Sequence, residues 1–460
     1  MNVLDMTLCN AVSAVKAGRI SSAELVQESL SAITKMNPEL QAVIAVQEDH
    51  AMTEAKRLDA LPPDRRGLLH GVPLAHKDMF DRMGVTSTFG ARPVHHRRAT
   101  STAGLLRRLD EAGAVSLAAL NMAEFAMGPT GHNSNVGRCR NPYDPERITG
   151  GSSSGSGAAV SARMVFGALG SDTGGSIRLP AAACGIVGLK PTQDALDMSG
   201  VMPLSHSLDC PGPLARTCCD VARLMDVLSG PGHERDIDAS VQGVRIGLPK
   251  TFYLEQVEND VAEAHEDAVE TCRSLGAAIT RVDIPPQDML PHFADILWKS
   301  EAAAFHRERL ADGVAQLGEQ VRARLAQGVA TSAVDYLQAQ KLRSLALRQM
   351  IQGPFAQCDI LLIPVMPCPV PKADDVSANN GESMRLALEA ISRFTRPISF
   401  LGLPSLAMPA GRDRNGMPVG IQLVGRPWSE ALLLRIGHQI ERTGRHSLPP
   451  PHIRSGRSRP

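Results

Sequence analysis

The chain is poor in aromatic residues. Two Trp, three Tyr and ten Phe amount to 3% of 460 residues, too few rings for a platform that stacks bases. It also has no surplus of charge. The 48 basic residues balance 48 acidic ones, so the basic excess of a nucleic-acid binder is missing. No apolar run approaches the roughly 18 residues of a membrane span. The opening MNVLDMTLCNAVSAVKAG lacks a basic segment followed by a continuous apolar one, so no secretory signal is read there. Nine cysteines, at 9, 139, 184, 210, 218, 219, 272, 358 and 368, form no C-x-x-C pair, and their number is odd. They read as free thiols in a reducing compartment, and the expected location is cytoplasmic. Neither H-E-x-x-H nor a Walker lysine occurs, so no metal and no cofactor is expected.

Short apolar segments recur between helical stretches near 42–47, 72–76, 114–119, 164–170, 244–248, 359–364, 405–409 and 420–424. This alternation predicts an α/β fold, a single large domain with a central mixed β-sheet flanked by helices. Residues 7–36 read as two amphipathic helices split at Gly18, the second opening with the capping-box pattern Ser21-Ser22-Ala23-Glu24. The stretch from about 255 to 350 reads as a helical excursion able to cover one side of a site. The domain is expected over 1–445, and the Pro-rich, basic residues 446–460 are expected to be disordered.

Glycine is concentrated where the chain is most informative. Residues 150–176 run GGSSSGSGAAVSARMVFGALGSDTGGS, two serine-bearing glycine loops around an apolar segment. Glycine gives up more backbone entropy on folding than any other residue, so such density marks backbone at positive φ or in close approach to a bound group. The loops could also be tight structural turns. Chance matches surround them. Ser13-Ala14-Val15-Lys16 fits S-x-x-K on a surface-type helix without its companion motifs. Gly151-Ser152-Ser153-Ser154-Gly155 fits G-x-S-x-G without the strand that a nucleophile elbow requires.

Lys77 in GVPLAHKD, the run from Gly150 through GSDTGGSIRLPAAACGIVGLKPT, then LNMAEFAMG, SLDCPGPLART and GLPSLAMPAG…MPVGIQLVGRPW together resemble the amidase signature family. The resemblance runs from about residue 8 to 445. It implies a Ser–cis-Ser–Lys triad of Ser176 as nucleophile, Ser152 as bridging residue, joined by a cis peptide to its successor, and Lys77 as base. It also implies an oxyanion loop of Thr173, Gly174, Gly175 and Ser176. Asp172 and Arg178 are expected to hold that loop's shape, and Ser153 to add a hydroxyl to the Ser152–Ser176 network. Asp78 next to Lys77, and His76 and His132, are read as structural. Phe125, Met127, Met202 and Leu204 are expected to line an apolar substrate pocket.

A seryl hydroxyl needs a partner able to take its proton near neutral pH. Lysine ordinarily titrates near 10.4, and burial without a carboxylate partner lowers that value. The reaction implied is hydrolysis of the C–N bond of carboxylic amides, of the aryl or alkyl type, through an acyl-enzyme. The alternative is a carbamate (urethanase) or urea-type substrate; a glutamine-dependent transamidase subunit, catalytic or scaffolding, is the less favoured reading. Ser154 stands where the family commonly has glycine and is expected to affect the loop or the pocket mouth. Ser392 stands where transamidase subunits carry an aspartate for the substrate's amino group, although Arg324 could match their carboxylate-binding arginine. Partners expected are a small-molecule amide or carbamate and, as an option, a second copy of the chain in a homodimer. No nucleic acid or membrane partner is expected.

Overall fold

Eleven strands join in one mixed sheet that runs through the molecule. In the chain they are β1 (Val43–Val46), β2 (Pro73–Lys77), β5 (Val115–Leu120), β6 (Gly167–Asp172), β7 (Val187–Lys190), β8 (Cys210–Ala215), β9 (Arg245–Pro249), β10 (Ala278–Val282), β11 (Ile360–Pro364), β12 (Ser405–Arg412) and β13 (Pro418–Gly425). Across the sheet their order is β1-β5-β2-β6-β8-β7-β12-β13-β11-β9-β10. A separate ribbon pairs β3 (Thr86–Ser87) with β4 (Arg97–Arg98). This computed structural model describes residues 2–377 and 381–451, apart from the side chains of 312 and 381–385.

The centre of the sheet is parallel where the site lies. β2 pairs in parallel with β5 on one side and with β6 on the other. All three strands are buried along their whole length, because helices cover both faces, and they accordingly read as apolar runs without alternation. Register places His76 opposite Leu169, so the next step along each strand brings Lys77 beside Gly170 and Ser171. Both strands end there. In open α/β sheets this carboxyl edge is where ligands bind.

The glycine-serine segment supplies the next layer. Its first loop leads into the helix Ser154–Ser161, every residue of which is buried. Small side chains are what let this helix sit so close: a Cβ on Gly155 would fall 2.3 Å from the Ala42 carbonyl oxygen. The second loop leads from β6 into the short helix Arg178–Ala183.

The two N-terminal helices form as Leu8–Lys16 and Ser22–Leu40, and the second carries the expected capping box. The stretch expected as a helical excursion holds the helices Asn259–Ser274, Leu290–Phe305, Glu319–Ala330 and Ala333–Gln352, but also contributes β10 to the sheet edge. Beyond residue 445 the chain is packed as far as it is described. His446 is buried, with Nδ1 3.0 Å from the Ala410 carbonyl and Nε2 3.0 Å from Thr271 Oγ1. Tyr143 donates to the Pro449 carbonyl at 3.0 Å. The remainder of the expected disordered tail, 452–460, lies outside the described residues. Among the described residues no helix is long and apolar enough to cross a membrane, and all nine cysteines are free, six of them buried.

Candidate active site

Lys77 is wholly buried at the end of β2. Its Nζ lies 2.7 Å from Ser152 Oγ and 2.7 Å from Ser171 Oγ. Burial pushes its pKa down to about 7, against the opposing pull of Asp209 and Asp172. No carboxylate among the described residues pairs with it. A lysine so placed has a large neutral fraction at neutral pH, which a surface lysine does not.

Ser152 is fully buried, and the bond that precedes it, Gly151–Ser152, is cis. The family resemblance implies a cis bond on the other side of Ser152; the structure places it one residue earlier. Ser153 also departs from expectation. Its hydroxyl donates to the Ser171 carbonyl and accepts the Ser171 amide, both at 3.2 Å. The side chain therefore ties the first loop to β6 and takes no part in a Ser152–Ser176 network. The two loops meet instead through the backbone, Ser153 N–H to the Ser176 carbonyl at 3.3 Å.

Ser176 is half-buried and lines the cleft. Its hydroxyl makes no hydrogen bond among the described residues, so it is open to an incoming ligand. The amide of Gly175 is engaged by Asp172 Oδ1 at 2.8 Å, which removes it from the expected set of oxyanion donors. The amides of Thr173, Gly174 and Ser176 have no acceptor among the described residues. Gly175 has φ +131°, and a Cβ there would fall 2.3 Å from Thr395 Oγ1. Glycine is thus required by both conformation and space.

The loop is held from beneath. Besides Gly175, Asp172 accepts the Ile177 amide at 3.2 Å and pairs with Arg178 at 3.0 Å, both side chains fully buried. Burial works against ionising Asp172, but the Arg178 guanidinium wins and holds it down to about 2. Arg178 extends the network to Gln422 Oε1 (2.9 Å), the Thr395 carbonyl (2.9 Å) and Ser399 Oγ (2.7 Å). Every charge in this buried cluster has a partner, the condition under which an interior ion pair persists.

Three contributors escape a reading of the sequence. Ser171 is the second partner of Lys77, and its own proton is directed to Met79 Sδ at 3.2 Å. Asp209 accepts Thr173 Oγ1 at 2.6 Å and the amides of Leu204 and Ser205 at 2.7 and 3.0 Å; burial raises it to about 6. Thr395 donates to the Gly174 carbonyl at 2.7 Å. Both Ser171 and Asp209 lie inside motifs already singled out, but nothing in their spacing separates them from their neighbours.

The structural readings of Asp78 and the two histidines agree with their surroundings. Asp78 accepts the Thr88 amide at 2.9 Å together with the Thr88 hydroxyl. His76 is buried, and that burial lowers it to about 3. His132 contacts Thr130 Oγ1 at 2.8 Å. Ser154 is buried, donates to the Asn121 carbonyl at 3.3 Å and does not reach the cleft.

A small cleft of about 70 Å³ opens to solvent at Ser176. Of the four expected lining residues, Met127 and Leu204 face it. Phe125 and Met202 do not. Phe125 and Ala126 both sit in the left-handed region, at φ +48° and +63°, and this turn sends the Phe125 ring into the core against Phe89 and His306 while Met127 reaches the cleft. Met202 is buried, its amide bonded to the Met79 carbonyl at 2.9 Å. Nor is the lining wholly apolar. Ala294, Trp298 and Leu179 share it with Arg324, Arg396 and Ser392. Arg396 pairs with Asp295 at 3.2 Å, whereas Arg324 donates to the neutral Met127 carbonyl, at 2.6 Å. Ser392 directs its hydroxyl to the Leu388 carbonyl of its own helix at 2.9 Å.

The chain is similar to known proteins along nearly its whole length. The Amidase family matches residues 24–434. A glutamyl-tRNA(Gln) amidotransferase subunit of Halorhodospira halophila is 36% identical over 95% of this chain and 96% of its own. A protein from a vestigial complex that reveals the evolutionary origins of an s-triazine catabolic enzyme superposes with a TM-score of 0.88 at 33% identity, over 96% of this chain and all of the other. The peptide amidase of Stenotrophomonas maltophilia does so with a TM-score of 0.85 at 28% identity, over 98% and 99%. By sequence and by fold, this chain belongs to the amidase signature family.

Proposed function

We propose that the protein hydrolyses a C–N bond of a carboxylic amide through an acyl-enzyme on Ser176. The observation that carries this reading is the buried Lys77, lowered to about 7 and bonded to Ser152 at the foot of the loop that presents Ser176. In its neutral form Lys77 donates one N–H to Ser171 and turns its lone pair to Ser152. With substrate seated and its hydroxyl turned to Ser152, Ser176 attacks the carbonyl carbon and passes its proton to Ser152 as Ser152 passes its own to Lys77. The C–O bond forms, and the carbonyl π pair moves to oxygen. That oxyanion meets the unengaged amides of Thr173, Gly174 and Ser176; one such donor typically contributes about 2.7–4 kcal/mol. The relay then reverses, Lys77 returning a proton through Ser152 to the nitrogen, which leaves as a neutral amine. Water repeats the sequence to release the acid.

The cleft refines the substrate class. Apolar walls favour an alkyl or aryl group, and the Arg324 guanidinium, unlike Arg396 with its Asp295 partner, favours an anionic substituent on it. A second reading, a glutamine-using amidotransferase, is favoured by the glutamyl-tRNA(Gln) amidotransferase relatives at 33–36% identity. Against it, Ser392 offers no carboxylate, and its hydroxyl is committed to its own helix.

Both readings meet one experiment. Wild type and Ser176→Ala are compared on an acyl anilide, an aryl carbamate with the same aniline leaving group, and glutamine. Anilide hydrolysis lost in the variant supports the amidase. Ser176-dependent preference for the carbamate moves the function to urethane cleavage, and ammonia release from glutamine alone favours the transamidase. Turnover that survives in Ser176→Ala overturns the triad.

A further inference from the structure

Away from the cleft, three metal-type donors converge where the helix Leu8–Lys16 meets the first turn of the helix Cys218–Ser229. Cys9 Sγ and Cys219 Sγ lie 3.5 Å apart, and Cys219 Sγ lies 4.0 Å from Glu234 Oε1. The ligand atoms of the three side chains all fall within 4.8 Å of one another, and each residue is half-buried. We propose that Cys9, Cys219 and Glu234 bind a thiophilic divalent cation of the zinc class and so brace the N-terminal helix against the body of the fold.

The spacing fits a cation better than a disulfide. Zinc held tetrahedrally at about 2.3 Å from each thiolate sets the sulfurs about 3.8 Å apart. The observed separation needs little adjustment to reach that, whereas a disulfide requires closure to about 2.0 Å. Charge fits too. Two thiolates with the Glu234 and Asp220 carboxylates sum to −4, and a divalent cation with Arg223 and Arg216 sums to +4. Arg223 grips Glu234 through Nε at 3.1 Å from Oε2 and through Nη2 at Oε1. Each carboxylate oxygen keeps a second lone pair for a metal.

Asp220 adds an independent sign. It is fully buried beside Cys219 and accepts the Cys9 amide through Oδ1 at 2.9 Å. Its Oδ2 has no hydrogen-bond partner among the described residues. A buried acceptor left open in this way is costly, and a water occupying the fourth position on the cation would supply the missing proton.

The test is anaerobic titration of the reduced full-length protein with Co²⁺. The expected result is a one-to-one thiolate-to-cobalt charge-transfer band with tetrahedral visible bands. It should vanish in Cys9→Ser and Cys219→Ser, weaken at least tenfold in Glu234→Gln, and persist in Cys368→Ser. Zn²⁺ should displace the cobalt and raise Tm in wild type but not in Cys9→Ser. Absence of the band in wild type overturns the proposal, as does its persistence in either Cys9→Ser or Cys219→Ser. So does oxidation of both thiols to a disulfide in air by a protein that, when reduced, ignores the metal. Should the serine variants fail to fold, X-ray absorption of zinc-loaded wild type decides: two sulfur scatterers are expected, and none or four refute it.

Discussion

Ser171 accepts a hydrogen bond from Lys77 at 2.7 Å while its own proton points to Met79 Sδ at 3.2 Å. That polarity matters. With the Ser171 hydrogen occupied by sulfur, only its lone pair faces Lys77, so a neutral Lys77 must donate there and present its own lone pair to Ser152. Ser171 is in this reading a positioning residue.

Ser171→Ala should therefore lower kcat/KM by about 1–2 kcal/mol, roughly 5- to 30-fold. The loss should fall mainly in kcat, because Ser171 lies beneath the site and does not line the cleft. A merely structural role predicts lower Tm with unchanged kcat, and a side-by-side kinetic and thermal measurement separates the two.

The pH dependence follows from Lys77. Its folded pKa lies near 7, below the ordinary 10.4. The neutral base therefore accumulates as pH rises through 7, and kcat/KM should rise with it. The sign for Asp209 is opposite. Its negative charge favours protonated Lys77 and opposes the fall in pKa. Asp209→Asn should move the rising limb to lower pH, although loss of the Thr173 anchor reduces the maximum rate. A limb that stays in place or moves upward would show that Asp209 does not act on Lys77 through charge.

Gly175→Ala tests the oxyanion loop. The new Cβ would stand 2.3 Å from Thr395 Oγ1, at a φ of +131°. Thr395 Oγ1 is itself bonded to the Gly174 carbonyl at 2.7 Å, so it cannot move without disturbing the loop. The expected cost is about 1–3 kcal/mol of stability for the backbone alone, with a drop in kcat of roughly 100-fold or more from displaced amide donors. Denaturant unfolding and steady-state kinetics read the two effects separately.

Legibility in the sequence follows how local each signal is. The strands at 72–76, 114–119 and 164–170 stand out because burial on both faces favours apolar side chains at nearly every position, His76 and Ser116 excepted. β8 does not, since its CPGPLA carries two prolines and a glycine, yet it pairs with β6 from Gly167 to Asp172. The loops around Ser152 and Ser176 are legible through glycine, and Lys77 through its motif. Ser153 and Gly175 make contacts other than those expected, because a hydroxyl or amide has no direction in a sequence. Phe125 misses the pocket for a related reason: two consecutive left-handed residues reverse which side chain faces the cleft, and neither is a glycine that would announce the turn. Arg396 and Ser392 reach the site from more than 200 positions beyond Ser176, a contact that exists only after the sheet has closed.

The cleft charge yields the last prediction. Arg396 is balanced by Asp295, which Lys299 also meets at 2.6 Å. Among the described residues Arg324 has no carboxylate within ion-pair distance, and the more distant Asp295 offsets its neighbours only in part. Arg324 gives a hydrogen bond to a neutral carbonyl, and its pKa is lowered to about 10 by burial and by Arg396. A half-buried cation beside apolar walls gains from an anion more than a fully solvated one does, because it has less water to give up. A substrate carboxylate reaching Arg324 should gain a charge-assisted hydrogen bond of about 1.5–3 kcal/mol. Arg324→Met keeps the length and apolar stem of the side chain and removes the charge. For an amide with an anionic acyl group, KM should rise roughly 10- to 100-fold, while the neutral analogue of equal size changes little. An equal loss on both substrates would mean that Arg324 shapes the wall through Met127 and does not read charge.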